Sequence, residues 1–237
     1  MRCCLIVMLS SSLVNASTGA VAHPLRQGDA SSVNRAWEFM ETEISRGVAE
    51  LLDRHQPPPI LPELRPRVMA ALPSEGELTP TPVESVKLAA VDPVLKIYRR
   101  LGTVSLKVVD VPYALAAFHD RAVLLVTREA LNLITVGEFQ AIIAHELAHE
   151  LFWDDYNAAL ERDQYERLQE LELRCDGVAV MILRTLGADP THLTRAAVKL
   201  TRHNERRGGA LITARQVPLD VRVTFIRNVD TRLRNQR

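Results

Sequence analysis

The stretch AIIAHELAHE, residues 141–150, constrains this chain more than any other. It sets His145, Glu146 and His149 inside a run whose other positions include Ile142, Ile143, Ala144 and Leu147. Histidines four residues apart lie one turn apart on one face of a helix. Burying their ring nitrogens on a core-facing stripe is costly unless something satisfies them, and one metal ion satisfies both. Glu146, turned by about 100° from His145, stands at the edge of that face. H-E-x-x-H binds zinc only on a helix. Two further features predict that helix independently: Thr135 and Glu138 have capping-box spacing, and Phe139, Ile142, Ile143 and Leu147 recur with a helical period. A fold for this chain must bury the helix and bring a further donor to it.

A catalytic zinc takes three protein ligands and leaves one position for water. Three residues are candidates for the third ligand. Asp155 stands where an H-x-x-G-x-x-H continuation would put it, but Phe152 occupies the place of the turn-forming glycine. Glu172 and Asp176, in ELELRCDGVAV, share one face of a later helix within about 60° of its apolar stripe. A carboxylate pair beside a core stripe needs a partner, and zinc on neutral imidazoles is a fitting one. Glu172 then ligates, and Asp176, one turn on, accepts the outer N–H of a ligand histidine. Cys175 also suits zinc chemically, but its place in the stripe reads as a buried small residue. The expected set is one Zn2+ on His145, His149 and Glu172. Glu146 can then reach a metal-bound water without ligating the metal itself.

Elsewhere the pattern is mostly helical. Val33, Trp37, Met40, Ile44, Val48 and Leu51 mark a helix over 31–55. Residues 56–82 form a proline-rich linker with one short helix near 63–71. Helix continues over 83–101, restarting at Asp92-Pro93. TVSLKVVDV (103–111) and RAVLLVTRE (121–129) are β-rich, with a further short strand between them. A long helix spans about 158–186, with Leu168, Leu171, Cys175, Val178, Ile182 and Leu186 as its stripe and Gly187 at C′. Another runs from Pro190 to Gly208-Gly209, and the last covers about 219–234. The expected fold class is α+β: a mostly helical, zincin-like domain with a small antiparallel sheet beside the active-site helix.

The start, MRCCLIVMLSSSLVNASTGAVA, has a basic residue, a short apolar run and an A-x-A site at 20–22. It reads as a signal peptide over 1–22, followed by an N-terminal helix and linker over 23–82 and a zinc metallopeptidase domain over 83–237. The expected location is periplasmic or extracellular. Cys3 and Cys4 leave with the signal, so Cys175 is the one cysteine of the mature chain and forms no internal disulfide. No later run is long enough to span a membrane. Charge is balanced, 29 basic against 29 acidic residues, and aromatic content is 5%. Neither supports a nucleic-acid partner; the expected partner is a polypeptide substrate.

H-E-L-A-H followed by E-L-R-C-D on a later helix resembles the gluzincin signature, in the form found in the CAAX prenyl proteases and HtpX-type quality-control proteases. The resemblance covers about residues 105–228. It implies His145, His149 and Glu172 as ligands, Glu146 as the base and Asp176 behind the ligands, with an extended substrate paired to an edge strand at 114–118. His119, which follows, reads as a turn residue. Where the family generally has alanine, this chain has Cys175. It also lacks the membrane helices of many relatives, and VPLDVRV keeps Pro218 and Arg222 but puts Val217 where a histidine is usual. Arg222 therefore reads at least as readily as a surface arginine. Tyr156, Tyr165, His203 and Arg222 are candidates for a second oxyanion donor or a substrate contact. The function expected is a zinc endopeptidase, with envelope protein quality control as one role. The alternative is a non-catalytic, chaperone-like module of the same fold, or a latent protease covered by residues 23–82.

Overall fold

The computed structural model describes residues 27–72, 76–207 and 217–236. The expected signal at 1–22 and the Gly208-Gly209 helix end lie outside the described residues. The apolar period over 31–55 builds two helices rather than one, α1 (Gln27–Arg46) and α2 (Val48–His55). Gly47 breaks them apart at φ 88°, a conformation that glycine adopts without penalty. After the prolines come α3 (Arg65–Ala71), the two-residue strand β1 (Glu77–Leu78), α4 (Pro82–Ala89) and α5 (Asp92–Ile97). A capping box opens α4: the Thr81 hydroxyl accepts from the Glu84 N–H, and the Glu84 carboxylate accepts from the Thr81 N–H.

Strands β2 (Ser105–Val109), β3 (Ala116–His119) and β4 (Val123–Thr127) complete a four-stranded sheet in the order β1-β2-β4-β3. This sheet is mixed, which corrects the expected antiparallel one. β2 pairs with β4 in parallel, with Ser105 opposite Val123. β4, VLLVT, is buried along its whole length and takes a central place. The chain leaving β2 passes the end of β4, reverses into β3 at the edge, and reverses again through Asp120 and Arg121. Two reversals bring β4 back parallel to β2. Both turn residues have positive φ, 42° and 58°, the backbone of a tight hairpin.

Helix α6 (Arg128–Leu133) leaves β4 directly, and α7 (Val136–Ala148) begins on the Thr135–Glu138 capping box with both hydrogen bonds formed. The end of α7 tightens into a 3-10 turn, His149–Phe152, before α8 (Trp153–Glu161) and α9 (Tyr165–Thr185). The single helix expected over 158–186 is interrupted by Asp163 at φ 52°. Gly187, at φ 70°, closes α9. Its N–H bonds the Arg184 carbonyl at 3.1 Å, and the Ala188 N–H bonds that of Leu183 at 2.9 Å, the Schellman pattern. Helices α10 (Thr191–Arg206) and α11 (Leu219–Arg234) follow.

The fold class is α+β and mostly helical, as expected. α9 is the axis of the core and packs against α1, α7 and α11. A Cβ on Gly177 would stand 2.4 Å from Met40 Sδ, so this glycine sets how closely α1 approaches α9. Among the described residues, no helix is long and apolar enough to cross a membrane.

Candidate metal centre

The last turn of α7 and the 3-10 turn after it carry the cluster. His145 and His149 have ring centroids 5.1 Å apart, nearly perpendicular at 86°. His145, Glu146 and His149 each offer one donor atom within 4.8 Å of the others, so this group could hold a metal ion. α9 faces them with Glu172, one of whose oxygens lies 3.4 Å from His145 Nε2 and the other 3.7 Å from His149 Nε2. A tetrahedral ion with bonds of about 2.0–2.2 Å has donor–donor edges of about 3.3–3.6 Å. The Glu172–His145 edge falls within that range and the Glu172–His149 edge just beyond it. Two triads share the histidines, one closed by Glu146 from the same helix and one by Glu172 from the facing helix.

Asp176, one turn beyond Glu172, has no exposed surface and lies 2.9 Å from His145 Nδ1. Arg222, on α11, donates to both its oxygens, from Nε at 2.8 Å and from Nη2 at 2.6 Å. Only 23% of the Arg222 side chain is exposed. Its reading as a surface arginine is thus corrected: its guanidinium lies on Asp176. The Tyr156 hydroxyl donates to Glu172 at 3.3 Å, and its ring stands edge-on to His149 at 5.2 Å. Two other candidates are found elsewhere: Tyr165 beside Asp163 at 3.4 Å and His203 beside Glu129 at 3.8 Å.

Charge and burial split these groups. Burial disfavours the His145 imidazolium, but Asp176 and Glu172 overcome this and raise its pKa to about 10. Burial dominates at His149 and lowers it to about 4, with Glu172 offsetting only part. Glu146 is raised to about 7 by burial, against the pull of His145 and of a hydrogen bond from the Phe118 backbone. Burial acts to raise Glu172 and Asp176 too. The histidines nevertheless hold Glu172 far below the usual carboxylate range, and the Arg222 guanidinium, followed by His145, holds Asp176 below it.

Asp155 pairs with Arg167 at the surface. Cys175 is fully buried, and burial beside Glu172 and Asp176 pushes its thiol well up, away from the thiolate a metal requires. His119 ends β3, where burial lowers its pKa and Asp120 lies 3.7 Å away.

The Asn204 carboxamide, on α10, bonds the Ala114 N–H at 2.8 Å and the Ala114 carbonyl at 3.0 Å, closing the sheet edge just before β3. Sequence reasoning missed this contact, and it missed the arginine partners of Asp176 and Glu150. Both carboxylates left a signal, Asp176 beside the apolar stripe of its helix and Glu150 on the apolar flank of HELAHELF.

No protein-family model matches the chain, and no curated protein matches it in sequence.

Proposed function

We propose that this chain is a zinc endopeptidase of gluzincin type, resembling the CAAX prenyl and HtpX-type proteases. His145, His149 and Glu172 hold one Zn2+, and Glu146 is the general base. The observation that carries the reading is Glu172 spanning both imidazoles, one oxygen at 3.4 Å and the other at 3.7 Å. Glu146 is left as the base because Glu172 closes the set from the facing helix, with an oxygen toward each imidazole.

When bound, zinc supplies a Lewis acid for the peptide carbonyl and acidifies water. The Glu146 carboxylate takes a proton from the attacking water and returns it to the leaving amine. The Asp176 carboxylate, 2.9 Å from His145 Nδ1, holds the imidazole by charge with Nε2 toward Glu172. Tyr156, beside both His149 and Glu172, is a hydroxyl donor for the carbonyl oxygen or the substrate. An extended polypeptide pairs along the β3 edge through its backbone, with little sequence choice. Export through residues 1–22 and a role in envelope quality control complete the proposal. A latent form is the second reading. The low exposure of the His145 and His149 side chains, 6% and 16%, favours it.

The test compares Glu146→Gln with Glu172→Gln for zinc content and peptide-library cleavage. Wild type should carry one zinc. Glu146→Gln should keep it and lose cleavage by roughly 10²- to 10⁴-fold, while Glu172→Gln should lose zinc. The opposite pattern, with metal lost only in Glu146→Gln, overturns the assignment.

A further inference from the structure

Glu150 follows His149 directly, and its side chain is completely buried. Two guanidinium groups close on it. Arg100, with 3% of its side chain exposed, donates from Nε at 2.7 Å and from Nη2 at 3.0 Å. Arg121 donates from Nε at 3.1 Å. Arg100 Nη2 also donates to the Pro57 carbonyl, and Arg121 Nη2 donates to the Pro58 carbonyl. A single carboxylate thus ties the turn after α7 to the end of the α5 segment, to the β3–β4 hairpin and to the proline-rich segment.

The backbone at this cluster is strained. Among the described residues, four other than glycine have positive φ: Arg99, Asp120, Arg121 and Asp163. Three of the four are an arm of the cluster or stand next to one. Strain of this kind persists where the surroundings over-determine it and gathers at functional sites. Buried ion clusters are weak sources of stability, and their best-attested use is to specify one geometry.

What needs a single geometry here is His149. α7 ends at Ala148, and His149 opens the 3-10 turn His149–Phe152. The second imidazole of the cluster therefore sits where the helix changes pitch, and an untethered turn there could move it relative to Glu172. We propose that the Arg100–Glu150–Arg121 clamp is a positioning device that fixes the 149–152 turn, and with it the reach of His149 Nε2 toward the metal. This rests on the metal reading above.

The test uses the full chain with Arg121, the outer arm, so that the inner Arg100–Glu150 pair stays intact. Zinc affinity is read by chelator competition, and coordination by the visible d–d absorption of the cobalt(II)-substituted protein. Arg121→Gln should weaken zinc binding by about tenfold, the lower end for losing a partner once removed from a ligand, and should change the cobalt band. Arg121→Lys, which restores a cation toward Glu150, should recover most of both. Arg128→Gln is the control. Arg128 bonds the buried carboxylate of Glu84 at 2.7 Å, on α4, so its loss should lower Tm but leave zinc affinity within about twofold. Wild-type affinity and an unchanged cobalt spectrum in Arg121→Gln overturn the clamp while leaving the metal reading intact. Equal weakening in Arg121→Gln and Arg128→Gln also overturns it. A wild type that binds no zinc overturns both.

Discussion

Replacing Arg222 by methionine isolates the strongest polar contact behind the histidines. Asp176 is fully buried and takes two guanidinium bonds, at 2.8 and 2.6 Å, besides its contact with His145 at 2.9 Å. Breaking a buried pair from one side costs about 3–5 kcal/mol. Two features reduce this here. Arg222 is 23% exposed, so water can reach the gap, and His145 stays as a partner. The expected loss is about 2–3 kcal/mol of stability in the metal-free protein, a fall in Tm of about 5–10 °C for a chain of this length. With Asp176 less firmly held, His145 loses its orientation, and zinc affinity should drop by roughly 10- to 100-fold. The assay is thermal and urea unfolding of the apo protein, with chelator competition for zinc, in Arg222→Met, Asp176→Asn and the double variant. Residues in one network couple by about 0.5–3 kcal/mol, so the double variant should be less destabilised than the sum of the singles. Strict additivity, or a Tm within a degree of wild type, refutes the argument that Arg222 acts through Asp176.

Gly177→Ala puts a methyl 2.4 Å from Met40 Sδ and should cost about 1–3 kcal/mol in urea unfolding, as overpacking does. Combined with Met40→Ala, which empties that space, the change should cost less than the sum of the two. Stability should also depend on acid through the capping-box glutamates. Glu84 is held below its ordinary pKa chiefly by Arg128. Burial acts to raise Glu138, but Lys199 and the Thr135 N–H bring it down. A depressed folded pKa gives stability that is fully present above the unfolded value, about 4.3, and is lost as pH falls through the folded one. Calorimetry from pH 6 to pH 3 should show Tm falling below about pH 4. The decline should be shallower in the Glu84→Gln/Glu138→Gln double variant. An equally steep decline there would place the acid sensitivity in other groups.

Short-range pattern carried most of what could be read in advance. The capping box at Thr135, the helical period leading to HELAH and the glycine stop at 187 are each written within a few residues, and each appears in the fold. Breaks in helices were harder. The apolar period runs straight across Gly47, from Ile44 to Val48 and Leu51, so periodicity alone did not show that this glycine would adopt positive φ. Asp163 carries no glycine signal at all. The parallel pairing of β2 and β4 depends on which strand takes the sheet centre, a choice made by burial of all five residues of VLLVT rather than by any turn motif.

The two arginine contacts behind the candidate centre were invisible for a related reason. Arg222 meets Asp176 across 46 residues, and Arg100 meets Glu150 across 50. A carboxylate beside an apolar stripe announces that it needs a partner, because an unpaired buried charge is too costly to keep. It does not announce which one. For Asp176 the sequence offered a histidine four-residue motif as partner, and that contact forms at 2.9 Å. One imidazole N–H leaves most of a carboxylate's lone pairs unfilled, and a fully buried Asp176 therefore required a further donor from somewhere in the chain. The same accounting applies to Glu150, which has no histidine and takes two arginines. Counting unfilled acceptors on each buried carboxylate, rather than searching for longer motifs, is the step that would have pointed to a cation behind each helix of the centre before any fold was known.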